Sequence, residues 1–117
     1  MKITMPRGDL RFVKFSIKNK DKSVSDIDLD EIYITFKERY SRSDFLFQKK
    51  LSDNTITKDE NNYYNFSINP EDTNDLSMGT SYDFDIELIK EGTIKQTICG
   101  ELYLTKEVTH ADNEVSL

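Results

Sequence analysis

Residues 81–105 read SYDFDIELIKEGTIKQTICGELYLT, and this stretch decides the fold. Tyr82, Phe84, Ile86 and Leu88 are apolar at every second position, with Asp83, Asp85 and Glu87 between them. Successive side chains of a β-strand leave the backbone on opposite sides, so this period of two means one buried and one wet face. Glu91-Gly92 supplies a turn, and the chain resumes at Ile94. Ile98, Leu102 and Leu104 then share one face up to Thr105. The stretch is predicted to be a two-stranded hairpin.

The same reading extends outward. Lys2 to Met5 forms a short first strand, and Pro6-Arg7-Gly8-Asp9 forms a turn, since Pro fixes φ and Gly permits positive φ. Leu10 to Lys18 is a strand of mixed phase: Leu10 and Phe12 fall on one parity, and Val13, Phe15 and Ile17 on the other. A bulge near Phe12-Val13 would reconcile them. Asn19 to Ser25 is a polar loop. Glu31 to Glu38 is a half-buried strand with Ile32, Ile34 and Phe36 inward. Phe45 to Leu51 is another, with Phe45, Phe47 and Leu51 on one side and Leu46 alone on the other. After a short extended Thr55 to Thr57 and an Asp- and Asn-rich turn, Tyr63 to Asn69 presents Tyr64, Phe66 and Ile68 inward. Pro70 to Leu76 is a helical turn, with Asn69 as N-cap, Pro70 first, and Glu71 and Asp72 at the positive end of the dipole.

About seven strands and one short helical turn predict an all-β fold, an immunoglobulin-like antiparallel β-sandwich, with a small closed barrel as the rival. No βαβ alternation is visible, which excludes doubly wound parallel sheets. There is no Trp and one Cys, so the disulfide-and-tryptophan core of antibody domains is missing. At 117 residues the chain is read as a single domain over 1–109 with a flexible tail over 110–117.

Net charge is −6 and the pI is near 4.8. Phosphate-backbone binding draws on a basic face, so no nucleic-acid partner is expected. Lys14, Lys18, Lys20 and Lys22 read as a solvated strand edge. With Cys99 alone, no disulfide forms within the chain, which favours folding inside a cell. Met1 to Leu10 carries no apolar signal region, and no run reaches the ~18–20 apolar residues of a membrane span.

Candidate chemistry is sparse. Asp83, Asp85 and Glu87 share a strand face, and carboxylates at i and i+2 are about 7 Å apart, a spacing that glycosidase pairs also use. A solvated acidic face relieved by neighbouring lysines is the plainer account. Asp26, Asp28 and Asp30 start like a calcium loop, but Glu31 and Lys37 stand where Gly and Glu are required. His110 sits in the tail, and Cys99 has no partner for metal or redox chemistry. Asn65-Phe66-Ser67 matches a glycosylation acceptor without a secretory route, and Arg7-Gly8-Asp9 is explained by its turn. No catalytic residue, metal or cofactor is therefore expected. The remaining sign is aromatic: Tyr33, Tyr63 and Tyr103 fall on outward parities. Exposed tyrosines are enriched at interfaces and form sugar platforms, so these three are the candidate interaction surface.

Several pieces occur in a recognisable order. They are Met5-Pro6-Arg7-Gly8-Asp9, the strand Glu31 to Lys37, Gln48-Lys49-Lys50-Leu51-Ser52 before Ile56-Thr57, and Ile68-Asn69-Pro70-Glu71-Asp72-Thr73 followed by Leu76 and Gly79. The strand Tyr82 to Leu88 and the segment Leu102 to Thr109 complete the set. From Thr4 to Thr109 the chain resembles small proteins of tailed phages and prophages of Firmicutes, which are similar to the N-terminal β-sandwich domain of phage baseplate upper proteins. The resemblance implies a virion structural or assembly protein of tail, baseplate or head, made in the bacterial host cytoplasm. Its implied partners are other virion proteins or itself as a homo-oligomer, with no membrane and no catalytic residues. A carbohydrate-binding module for host cell-wall glycans is the alternative, and a glycosidase using the acidic strand is a third reading.

Overall fold

A computed structural model describes residues 1–41 and 44–106. The expected tail over 110–117, with His110, and the end of the expected domain at 107–109 lie outside the described residues. The strands are β1 (Lys2–Pro6), β2 (Arg11–Phe15), β3 (Glu31–Glu38), β4 (Phe47–Lys50), β5 (Ile56–Lys58), β6 (Tyr64–Ile68), β7 (Thr80–Lys90) and β8 (Thr93–Thr105), with one helical turn, α1 (Pro70–Thr73), between β6 and β7. Two sheets form a curled, sandwich-like arrangement. One has five strands in the order β1-β8-β7-β3-β4, and the other has three in the order β2-β6-β5.

The hairpin read from residues 81–105 is the centre of the larger sheet. β7 pairs antiparallel with β8 on one side and with β3 on the other. Tyr82, Phe84, Ile86 and Leu88 are buried, as are Leu102 and Leu104, while Ile98 is half-buried against them. Ile32, Ile34 and Phe36 of β3 and Ile3 and Met5 of β1 complete this inner face. Phe15, Ile56, Tyr64, Phe66 and Ile68 of the smaller sheet are buried in the same cluster. Phe36 stacks on Phe47 at 4.2 Å and meets Phe84 at 5.0 Å. Gly100 makes room for that aromatic cluster: a Cβ there would lie 2.3 Å from Cζ of Phe84.

Five local expectations differ from what is observed. Among the described residues the strands number eight rather than about seven, and β1 runs parallel to β8, so the larger sheet is mixed rather than purely antiparallel. β2 needs no bulge. It pairs with β6 in unbroken register from Arg11↔Ile68 to Phe15↔Tyr64, and Leu10 and Phe12 are simply left facing solvent. In the Phe45 to Leu51 segment only Phe47–Lys50 is strand, Phe45 is exposed, and the buried residue of that parity is Lys49. The helix ends at Thr73, short of Leu76.

Lys49 is buried because it has a partner. Its ammonium lies 2.7 Å from Oδ2 of Asp72, with the two side chains 7% and 13% exposed. The same carboxylate oxygen accepts the backbone N–H of Asn69 at 2.8 Å, so one group caps α1 and neutralises Lys49. Next along α1, the fully buried Thr73 accepts the N–H of Gly8 at 2.8 Å, and Arg7 donates to the carbonyl of Leu76. The Arg7-Gly8-Asp9 triplet is thus a turn pinned to the helical corner, with Gly8 at φ 82° as the turn requires.

Candidate functional site

The acidic row lies on the outer face of the five-stranded sheet. On β3, Lys37 stands opposite Asp83, Thr35 opposite Asp85 and Tyr33 opposite Glu87. On β8 the opposite residues are Glu101, Cys99 and Thr97. Lysine relief therefore reaches Asp83 alone from β3. Asp83 also accepts the N–H of Tyr40 at 3.3 Å. One oxygen of Asp85, Oδ1, is buried without a hydrogen-bond partner among the described residues. Glu101 is held by the hydroxyl of Ser81, by Lys2 at 4.0 Å and by Arg39 at 3.9 Å. The Ser81 hydrogen bond, aided by those two cations, holds its carboxyl below the usual range against a smaller opposing effect of burial. Among the described residues no group of three His, Cys, Asp or Glu side chains is placed to hold a metal ion.

The three tyrosines do not converge. Tyr33 and Tyr103 are on the outer face of the larger sheet, opposite Glu87 and Ser81 of β7. Those β7 positions are about 20 Å apart by strand rise. Tyr63 precedes β6 in the other sheet. Each ring is half-buried under a lysine: Lys50 at 5.9 Å from Tyr33, Lys14 at 4.9 Å from Tyr63 and Lys2 at 5.6 Å from Tyr103. These are cation–π contacts that use the ring faces within the chain.

A different element of the larger sheet is open. β1 covers β8 only over Glu101 to Thr105. Glu101 donates its N–H to the carbonyl of Met1, on the side away from β7. Peptide groups alternate along an antiparallel strand, so those of Cys99 and Thr97 point the same way. Among the described residues nothing pairs with them. The slot ends at a bulge. The register passes from Leu88↔Gln96 to Ile89↔Ile94, which leaves Lys95 without a cross-strand partner. A bulge with an exposed lysine limits uncontrolled edge pairing, so the open edge is short and bounded.

The outer face of the three-stranded sheet carries a shallow depression of about 440 Å³. Phe12 of β2 is 76% exposed on this face, opposite Ser67 of β6. Lys14 stands opposite Asn65, which in turn faces Thr57 of β5, and Asn54 borders the far side. The turn between β5 and β6 organises the polar groups. Asp59 accepts the N–H of Asn61 and of Tyr63 on one oxygen and the Asn65 amide at 3.2 Å on the other. Lys14 lies 3.5 Å from it. Burial pushes the Asp59 carboxyl up, but those donors and the lysine outweigh it and leave it below its ordinary value. The Lys14 charge is thereby neutralised inside the chain.

The sequence signal for this face was present in β2. Three residues, Val13, Phe15 and Ile17, share one parity and turn toward the core, which leaves Leu10 and Phe12 for the outside. No protein-family model matches this chain, and no curated protein matches it.

Proposed function

We propose that the chain is a non-catalytic structural and assembly component of a bacteriophage or prophage particle, an accessory part of tail, baseplate or head. It acts there as a protein–protein interaction module, and we read its two sheets as an immunoglobulin-like sandwich. The observation that carries the reading is the open stretch of β8 at Thr97 and Cys99. Unpaired peptide groups beside a covered segment accept a strand from a partner, and backbone hydrogen bonds then supply affinity. The order of motifs from Thr4 to Thr109 supports the particle context.

The test is incorporation. Mass spectrometry of gradient-purified particles from an induced host is expected to find the chain in stoichiometric amounts. Thr97→Pro removes a peptide N–H that faces away from β7, so it spares the hairpin while blocking strand addition. The variant is expected to fold and to be lost from particles. Wild-type chain missing from particles sinks the context, and normal incorporation of Thr97→Pro sinks the edge as the contact.

A further inference from the structure

The polar face of the three-stranded sheet carries a reading beyond assembly. We propose that it is a subsite for a neutral saccharide, stacked on Phe12 and hydrogen-bonded by Asn54, Thr57, Asn65 and Ser67. Four observations converge. The first is the ring itself: Phe12 is 76% exposed in the middle of a strand whose neighbours Val13 and Phe15 pack inward. An exposed aromatic face carries partial negative charge. The C–H groups on one side of a pyranose carry partial positive charge and supply the flat apolar complement.

The second is the chemistry around the ring. Amides and hydroxyls both donate and accept, as sugar hydroxyls do. Thr57 and Asn54 make no side-chain hydrogen bond with the described residues. Asn65 spends its amide N–H groups on Asp59 and on the carbonyl of Tyr63, and its side-chain oxygen accepts nothing from the described residues. Ser67 donates to Asn69 at 2.9 Å and keeps its lone pairs. The amide plane of Asn65 is thus fixed while its acceptor stays open, an arrangement that orients a ligand hydroxyl at little entropic cost.

The third is charge complementarity, which selects the occupant. The chain carries −6 overall, yet this face is neutral because Asp59 cancels Lys14, its one charged lining group. An anionic lipid, a nucleic acid or a phosphorylated polymer would need an unpaired cation. An acidic or basic peptide would likewise meet no counter-charge. An uncharged polyol does not need one. The fourth is size: about 440 Å³ lies within the range of small-molecule sites.

The experiment is a ¹⁵N NMR titration of the full chain with N-acetylglucosamine, glucose, chitotriose and maltotriose. At least one probe is expected to shift the amides of Phe12, Thr57, Asn65 and Ser67, with a Kd of about 1 mM or tighter. Phe12→Ala is expected to weaken that binding about tenfold or more, and Phe12→Tyr to retain it. Thr57→Val, which keeps shape and removes the hydroxyl, should weaken it a few-fold. The exposure of Phe12 and Thr57 leaves the folded spectrum as a control in every variant. The proposal is overturned if no probe shifts these amides up to tens of millimolar, or if Phe12→Ala binds as well as wild type. A Phe12→Ala chain that binds sugar normally but fails to enter particles makes the face a protein contact and likewise ends it. Particle incorporation is scored separately, so loss of the saccharide reading leaves the assembly reading standing.

Discussion

The two outer faces of this small fold differ in how far they satisfy themselves. On the five-stranded sheet, tyrosines lie under lysines and Glu101 is held by Ser81, Lys2 and Arg39. On the three-stranded sheet an aromatic ring stands uncovered among open amides and hydroxyls, with its only lysine cancelled. Acids and tyrosines make the charged face conspicuous in the sequence, yet its groups are largely used within the chain. The neutral face offers groups that are not. Recognition chemistry is better sought in the polar and aromatic groups left over than in the residues that stand out by type.

The largest effect should come from the joint between the sheets. Lys49 on the edge strand β4 meets Asp72 in the helical turn that leaves β6, so the pair ties one sheet to the corner of the other. Removing one partner of a buried ion pair strands the other charge. Lys49→Ala is expected to lose about 3–5 kcal/mol in urea unfolding. A loss under 1 kcal/mol would mean that water reaches Asp72 and that the joint is looser than its geometry. Gly100→Ala should cost less, about 1–3 kcal/mol, by overpacking. The added methyl meets the ring of Phe84, which must swing into the cluster with Phe36. An unchanged midpoint would show that the larger sheet yields where it is described as tight.

Acid compares the sheets again. Each has a carboxylate on which burial is outweighed by hydrogen bonds that hold it below its ordinary value. At Glu31, before the core of β3, burial pushes the pKa up, and hydrogen bonds from Ser52 and the Ile32 N–H more than reverse it. At Asp59, in the smaller sheet, burial is likewise outweighed, chiefly by the Tyr63 N–H and the Asn65 amide. A depressed folded pKa means that the unfolded chain binds protons first as pH falls. The stabilisation is therefore complete above the ordinary carboxylate range of about 4 and is lost as pH drops through it toward the lower folded pKa. Thermal melts should be flat from pH 7 to about 5 and then decline. Glu31→Gln and Asp59→Asn should each start lower at pH 7 and decline less steeply. Equal slopes in wild type and variants would remove these groups from the acid response.

Much of the fold could be read from periodicity, and the reasons for the failures are physical. β6 and β7 alternate cleanly because each lines a core face, and their buried sets match the expectation residue for residue; β3 buries the expected Ile32, Ile34 and Phe36 but also the outward Thr35, which accepts a hydrogen bond from the Gln48 amide of β4. The parallel pairing of β1 with β8 could not be read, since register between distant strands leaves no local pattern. β4 was obscured by Lys49, an inward lysine whose partner lies 23 residues away. β2 departs from its pattern for a simpler reason. Its two apolar parities suggest a phase error repaired by a bulge, whereas Phe12 is an exposed ring on a regular strand. At the site level, the outward parity of Tyr33 and Tyr103 was legible, but the lysines that cover them come from other strands.

The smallest effects separate the faces most sharply. One oxygen of Asp85 is buried with no partner among the described residues, and acidic residues flank it along β7. Asp85→Asn removes a charge that the fold accommodates at a cost, and its amide can donate where the carboxylate cannot. It is expected to raise stability by up to about 1 kcal/mol. Phe12→Ala removes a larger side chain from an exposed position, and its stability should stay within about 0.5 kcal/mol of wild type. The larger change in stability would then come from one neutralised charge and not from the loss of a whole aromatic ring. That order follows from burial, because a half-buried acid interacts with its sheet and an exposed ring interacts with water. If Phe12→Ala instead unfolds the chain by several kcal/mol, the ring is packed in solution and the contrast between the faces disappears.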